Sequence, residues 1–376
     1  MNNQNQALLD SSELSRNVES ACERELRLVT LPYTRGEYPN PYLSLYHAAL
    51  GNYGIQADHS LVINDAWLKS AQDRIDFIQI HWPEPLWRRH GSRLSEVRAL
   101  VGLWKFLRVA RAAGIGVVWT LHDAGDLDGV QGLDPLGYRV LGRHTDILIV
   151  HSEHGAGEAR KYAGKRTNIV VMNIGSYTNY PPPAERSTTL SRFGLADDVM
   201  TIGCIGTIRP YKGIDVAIEA ARRMGNRIQL IIAGEIYPEC DVGEMKKQVD
   251  LAGNVLLIDR RLSSQEFSDL MQCCDVAWLP YRKITGSGTL LAAWSFGVGV
   301  VASDLPFFCE MLNDREACGR VFRSGDPASL AQVTDDYLAC SRETRKDAID
   351  NAIKDYSWEN CIQPVAKVLR EWRKNH

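Results

Sequence analysis

The chain has 376 residues, 45% of them hydrophobic and 24% charged, which is a globular balance and more than one ordinary core holds, so two domains are expected. A formal net charge of −3 gives no sign of nucleic-acid binding, and no apolar run reaches the roughly 18 residues of a membrane span. Nine cysteines without a C-x-x-C pair read as free thiols of a reducing compartment, and the polar start has no signal-peptide core; a cytoplasmic location is expected.

Residues 1–24 form a polar lead-in, expected to be disordered. Leu26–Leu31 then reads as a strand and Pro41–Leu50 as a helix. A strand Ile75–His81 runs into Trp82-Pro83-Glu84, and a long helix covers Arg93–Ala113. Gly116–Leu121 and Asp146–His151 are strands, followed by a helix from about His154 to Tyr162 and a strand Ile169–Met172. Three prolines at 181–183 interrupt both periodicities, so 177–198 reads as a linker between domains at 25–176 and 199–356. The second half alternates again, with strands at Val199–Ile205, Ile228–Ile232, Val255–Ile258, Val276–Leu279 and Val298–Ser303. Near-continuous apolar strands alternating with helices mean parallel sheets covered on both faces: an α/β protein of two doubly wound domains. An amphipathic helix closes the chain, within 357–376, with Ser357 as its N-cap.

Two turns of the second half look built for a diphosphate. Gly206-Thr207-Ile208-Arg209-Pro210-Tyr211-Lys212-Gly213 follows one strand and opens a helix. Its glycine permits close backbone approach, its helix start offers N–H groups, and Arg209 and Lys212 add positive charge. Tyr281-Arg282-Lys283-Ile284-Thr285-Gly286-Ser287-Gly288-Thr289 repeats the plan with hydroxyls at Thr285, Ser287 and Thr289 and exposed N–H groups at Gly286 and Gly288. Ligands of open parallel sheets sit outside the carboxyl ends of the strands, so both turns can face one ligand. Neither matches the P-loop or the G-x-G-x-x-G dinucleotide pattern, which argues against an ATPase and a dehydrogenase.

Several blocks resemble the xanthan-type β-1,4-mannosyltransferases, glycosyltransferase family 94. They are Asn40-Pro41-Tyr42-Leu43, Ile80-His81-Trp82-Pro83-Glu84, Thr120-Leu121-His122, Ile208 to Gly213, Pro280-Tyr281-Arg282 and Ser287-Gly288-Thr289-Leu290-Leu291. The resemblance covers nearly the whole chain from Leu26. It implies the GT-B architecture: an acceptor domain and a nucleotide-sugar domain facing across a cleft, with the C-terminal helix crossing back to the first. It also implies transfer of mannose from GDP-mannose, with inversion, to a lipid-diphosphate-linked oligosaccharide, with no cofactor besides the donor substrate. The large retaining group of transferases carries two glutamates with seven residues between them after the last donor turn. The matching positions here are Ile284 and Ala292, neither of them a carboxylate. The family's Pro-His-Glu after the His122 block is also missing; Asp126-Leu127-Asp128 stands there instead, with Asp128 nearest to the glutamate.

Inversion needs one base for the acceptor hydroxyl, opposite the leaving diphosphate. Glu84, between Trp82 and Trp87, is the first candidate, since an aromatic surround raises a carboxyl pKa; a salt bridge to Arg88 or Arg89 is the alternative. His122 and Asp128 are the reserves. With two cations placed for the diphosphate no metal site is expected, and His151 and His154 lack a second zinc-spaced pair. Arg88 to Arg111 holds seven Lys or Arg against Glu96 alone, interleaved with apolar residues. Trp82, Trp87, Arg88 and Arg89 thus read as acceptor or membrane contacts, and the helix as a peripheral contact to an anionic membrane or as an ordinary amphipathic helix. The rival readings are a transferase using a UDP-hexose and an inactive sugar-nucleotide-binding subunit.

Overall fold

A computed structural model describes residues 24–31, 41–59, 67–68, 70, 74–88, 92–122 and 132–376. It contains two six-stranded sheets, each parallel throughout. The first is built from β1 Leu26–Leu31, β2 Ile55–His59, β3 Phe77–His81, β4 Gly116–Thr120, β5 Ile147–Val150 and β6 Asn168–Val171, in the order β2-β1-β3-β4-β5-β6. The second holds β7 Met200–Ile205, β8 Ile228–Gly234, β9 Val255–Asp259, β10 Val276–Leu279, β11 Val300–Ser303 and β12 Gly319–Phe322, in the order β12-β11-β10-β7-β8-β9. Strand order therefore reverses between β1 and β3 in one sheet and between β7 and β10 in the other, and at such points a crevice opens beyond the strand ends.

Every residue of β3, β4, β5 and β8 is buried, as expected of strands covered on both faces. Register at the strand starts is pinned by a recurring aspartate. Asp76 accepts from Arg27 N, Asp146 from Val117 N and Asp275 from Thr201 N, each at 2.9 Å. One continuous core joins the inner faces of both sheets, including Phe77, Ile149, Trp294, Ile362 and Leu369, while Trp119 and Trp278 belong to separate cores on the outer faces.

The helices that bear on the site are α1 Tyr42–Gly51, α2 Arg93–Ala112, α3 Asp134–His144, α4 Glu153–Ala159, α5 Arg186–Arg192, α6 Ile214–Met224, α7 Val242–Ala252, α8 Ser264–Cys273, α9 Gly288–Ser295 and α10 Pro306–Leu312. The closing helix α13, Trp358–Lys374, follows α11 Pro327–Leu338 and α12 Arg342–Ala352 and returns to the first domain. Its Trp372 packs on Phe77 with centroids 5.1 Å apart, and Arg373 Nε reaches Asp76 Oδ1 at 2.9 Å. Two differences from the sequence reading stand out. Strand β2, helix α3, strand β12 and the helices α10, α11 and α12 were not foreseen, and α5 lies inside the stretch taken as linker. The prolines end structure before Ala184 but not after it, and Arg186 secures α5 to the second sheet through Cys273 O and Asp275 Oδ2.

Candidate active site

The two glycine-rich turns expected to hold a diphosphate follow β7 and β10, the strands that flank the reversal of the second sheet. They are sewn together by contacts only glycine permits. Gly213 has φ +63°, and a Cβ there would lie 2.0 Å from Pro280 O. Arg282 N donates to Tyr211 O at 2.7 Å, and the Arg282 guanidinium grips Asp215 at 2.9 and 2.6 Å. Arg282, expected among the donor contacts, thus fixes the two turns to each other through Asp215. Lys212 is only 9% exposed and lies beside Gly206, with its Nζ 5.4 Å from the centre of the Tyr281 ring. The Arg209 guanidinium lies 3.7 Å over the Tyr237 ring.

The second turn faces the first domain at close range. Thr285 Oγ1 donates to His122 O at 3.1 Å, and Thr285 O accepts from Ser152 Oγ at 2.8 Å. Ser287 Oγ accepts from Leu290 N at 3.3 Å and caps α9. These two hydroxyls thus have structural partners where phosphate ligands were expected. The glycines serve approach as well: a Cβ on Gly286 would sit 3.0 Å from His151 Cβ, and one on Gly288 2.5 Å from the Tyr177 hydroxyl. What the turn can offer an anion is the start of α9, where Gly288 and Thr289 bring N–H groups that have no partner within the helix.

Opposite lies a chain of histidines that the sequence reading did not assemble. His81 ends β3, His122 follows β4, and His151 follows β5. His81 Nδ1 is 2.8 Å from His122 Nε2, His122 Nδ1 is 3.3 Å from His151 Nε2, and His151 Nδ1 is 2.9 Å from Met172 O. A carbonyl only accepts, so His151 carries its proton on Nδ1 and accepts on Nε2; the same logic places the proton on Nδ1 of His122 and then of His81. Burial pushes the His122 pKa well below its usual value, with His81 and His151 adding to the effect, and lowers that of His151 to about 4, so both are neutral near pH 7. Trp82, at φ +42°, stacks on His122 with centroids 4.3 Å apart, and Tyr42 meets His122 edge-on at 4.9 Å. Both ring nitrogens of His122 are thus occupied, and proton abstraction by it would require this chain to open. Parallel neighbouring strands ending in histidine were the available signal.

Glu84 opens a 3₁₀ turn after β3, and its Oε1 accepts from the Tyr138 hydroxyl of α3 at 2.5 Å. Burial and the Glu84 carboxylate raise the Tyr138 pKa, so the phenol remains a donor. The alternative pairing with Arg88 is not formed, because Arg88 binds buried Asp134 in bidentate fashion at 3.0 and 2.6 Å. Trp87 is fully buried, donates to Asp134 Oδ1 at 2.8 Å and packs edge-on to Tyr138. Trp87 and Arg88 are therefore internal supports of the Glu84 turn, which corrects their assignment as acceptor or membrane contacts. Among the described members of that group only Trp82 meets the histidine chain, stacking on His122; Arg89, Asp126 and Asp128 lie outside the described residues. Among the described residues no group of three His, Cys, Asp or Glu is arranged to hold a metal ion.

Two α/β domains, each built on a parallel six-stranded sheet and meeting at the strand ends, have the GT-B architecture. Residues 186–355 match the family model of glycosyl transferases group 1. The chain carries that domain and is a glycosyltransferase. It is 27% identical over 268 residues, 70% of this chain and 69% of the relative, to GDP-mannose:glycolipid 4-beta-D-mannosyltransferase of Xanthomonas campestris pv. campestris. A D-inositol 3-phosphate glycosyltransferase of Geodermatophilus obscurus is 24% identical over 60% of this chain and 54% of its own. Among solved structures, Anabaena Alr3699/HepE in complex with UDP-glucose superposes with a TM-score of 0.71 at 16% identity, covering 92% of this chain and all of that one. WaaG, a glycosyltransferase involved in lipopolysaccharide biosynthesis, gives 0.62 at 14% identity, with 92% and 99% covered. These likenesses establish the GT-B fold.

Proposed function

We propose that this glycosyltransferase moves mannose from GDP-mannose, with inversion and without a metal, to an oligosaccharide carried on a lipid diphosphate. The reading rests on three neighbouring features: Lys212 buried in the first turn, the α9 start of the second turn, whose Thr285 bonds His122 of the first domain, and the Trp82–Glu84 turn, whose Trp82 stacks on that His122. A buried ammonium and helix N–H groups stabilise the charge that develops on a departing diphosphate, and a carboxylate across the cleft takes the acceptor proton. The relatives named as GDP-mannose:glycolipid transferases support the donor and the acceptor class. Ile284 and Ala292 in place of the retaining group's glutamates support inversion.

Thermal melting with GDP, GDP-mannose, UDP and UDP-glucose, each with EDTA and with added Mg²⁺, tests the reading directly. Stabilisation by the guanine nucleotides in EDTA is expected. Stabilisation by uridine nucleotides alone would replace the donor by a UDP-hexose, which the HepE complexes favour by analogy. A strict need for Mg²⁺ would make the D-x-D carboxylates Asp126 and Asp128 the candidate ligands. Donor binding with no transfer to any lipid-linked acceptor would leave the inactive-subunit reading standing.

A further inference from the structure

We propose that the outward face of α2 docks the enzyme on an anionic phospholipid surface, an inference that rests on the lipid-linked acceptor just proposed. α2 turns Leu100, Leu103, Phe106, Leu107 and Ala110 into the first-domain core. On its opposite side Leu94, Val97, Val101 and Trp104 are 70%, 45%, 45% and 38% exposed. Steps of three, four and three residues place these side chains in one line along the helix. Arg98 and Lys105 border the line on one flank and Arg93 on the other, all exposed, and Arg108 extends it with its guanidinium 4.9 Å over the Trp104 ring. Beside that ring a surface hollow of about 450 Å³, lined by Trp104, Arg108, Arg111, Ala112 and His144, has room for a headgroup. Glu96, the one acid in the helix, turns aside toward Gly132.

Charge selects the occupant. A second copy of this helix would bring two rows of like cations together. An anionic lipid surface takes the apolar line into the acyl boundary and the flanking cations among its headgroups. Position agrees with it, since the Glu84 turn packs beside α2 and a docked helix would hold the acceptor side of the cleft at the lipid surface. No helix among the described residues is long and apolar enough to cross a membrane, so attachment here is by lying on it.

The test is co-sedimentation, without nucleotide, on phosphatidylglycerol–phosphatidylcholine vesicles and on phosphatidylcholine alone. Wild type is expected on the anionic vesicles only, and less so in high salt. Two variants probe the two halves of the face: Val97→Ser/Val101→Ser/Trp104→Ser and Arg98→Glu/Lys105→Glu. Each is expected to lose about tenfold or more in partitioning while melting as the parent does. Wild type remaining in the supernatant overturns the proposal, as does binding unchanged in both variants. So does a dimer in sedimentation velocity that the triple variant dissolves, which would make this face a self-interface. Loss of vesicle binding with stabilisation by GDP intact refutes the docking alone; vesicle binding with no response to GDP refutes the donor assignment alone.

Discussion

Lys212 is a lysine removed from water with Gly206 and the Tyr281 ring for neighbours, and among the described residues no carboxylate pairs with it. A buried charge in that setting gains most from an anionic ligand. Lys212→Met is therefore expected to weaken GDP binding by about 1.5–3 kcal/mol, the range for a charge-assisted contact. Arg282→Ala should cost less, because its charge is already held by Asp215. Calorimetric titration of both variants checks the order, and equal losses would return Arg282 to the donor site. The base assignment is tested at Glu84. A general base contributes typically 10²–10⁴-fold, so Glu84→Gln should lower kcat by about that factor and leave the donor KM nearly unchanged. Tyr138→Phe removes the hydrogen-bond partner of the carboxylate while keeping the ring, and its effect on kcat should be smaller than that of Glu84→Gln. Full turnover by Glu84→Gln moves the role to the loop after His122.

At the level of elements, much of this architecture could be read directly. Apolar strands such as Phe77–His81 and Val276–Leu279 are buried on both faces, so their runs are unbroken and their ends easy to see. β2, reading Ile-Gln-Ala-Asp-His at the sheet edge, lacks that run, and α3 begins at Asp134 without a side-chain cap. Both escaped for those physical reasons. The two glycine-rich turns were legible as strand–helix junctions because glycine punctuates them, yet the use of Thr285 and Ser287 depends on what surrounds them in the fold. The histidine chain was hidden for the same reason, since its members are 41 and 29 residues apart and only strand pairing brings them together. That chain makes a pH prediction. The folded pKa of His151 is about 4 against 6.5 for a free histidine, so between these values the unfolded chain binds more protons. Stability is then full above pH 6.5 and lost as pH falls toward 4, by on the order of 3 kcal/mol for His151. Melting temperatures from pH 7 to 4 should fall more steeply for wild type than for His151→Asn; parallel curves would remove the histidine from the account.

For the whole molecule the relevant quantity is the free energy that keeps the two domains together. Ser152 to Thr285 and Thr285 to His122 join them above the histidine floor. A third contact lies next to these along the chain: the Glu310 carboxylate of α10 accepts from Glu153 N at 3.0 Å and His154 N at 3.3 Å, at the start of α4 in the other domain. These N–H groups have no partner within their own helix, and a carboxylate also complements the positive end of its dipole. Removing such a cap costs about 0.5–2 kcal/mol. One or two kcal/mol changes an equilibrium by roughly five- to thirtyfold, enough to shift the protein toward an open arrangement. Glu310→Ala should therefore enlarge the radius of gyration in small-angle scattering of the unliganded protein, and saturating GDP should restore it. Glu310→Gln keeps the acceptor oxygen without the charge and should fall between. Turnover should drop in the same order while the melting of each domain is unchanged. Scattering curves that superpose for all three proteins would mean that the interface holds without this carboxylate, and that closure rests on the other contacts between the domains, the Thr285 and Ser152 hydrogen bonds and the shared apolar core among them.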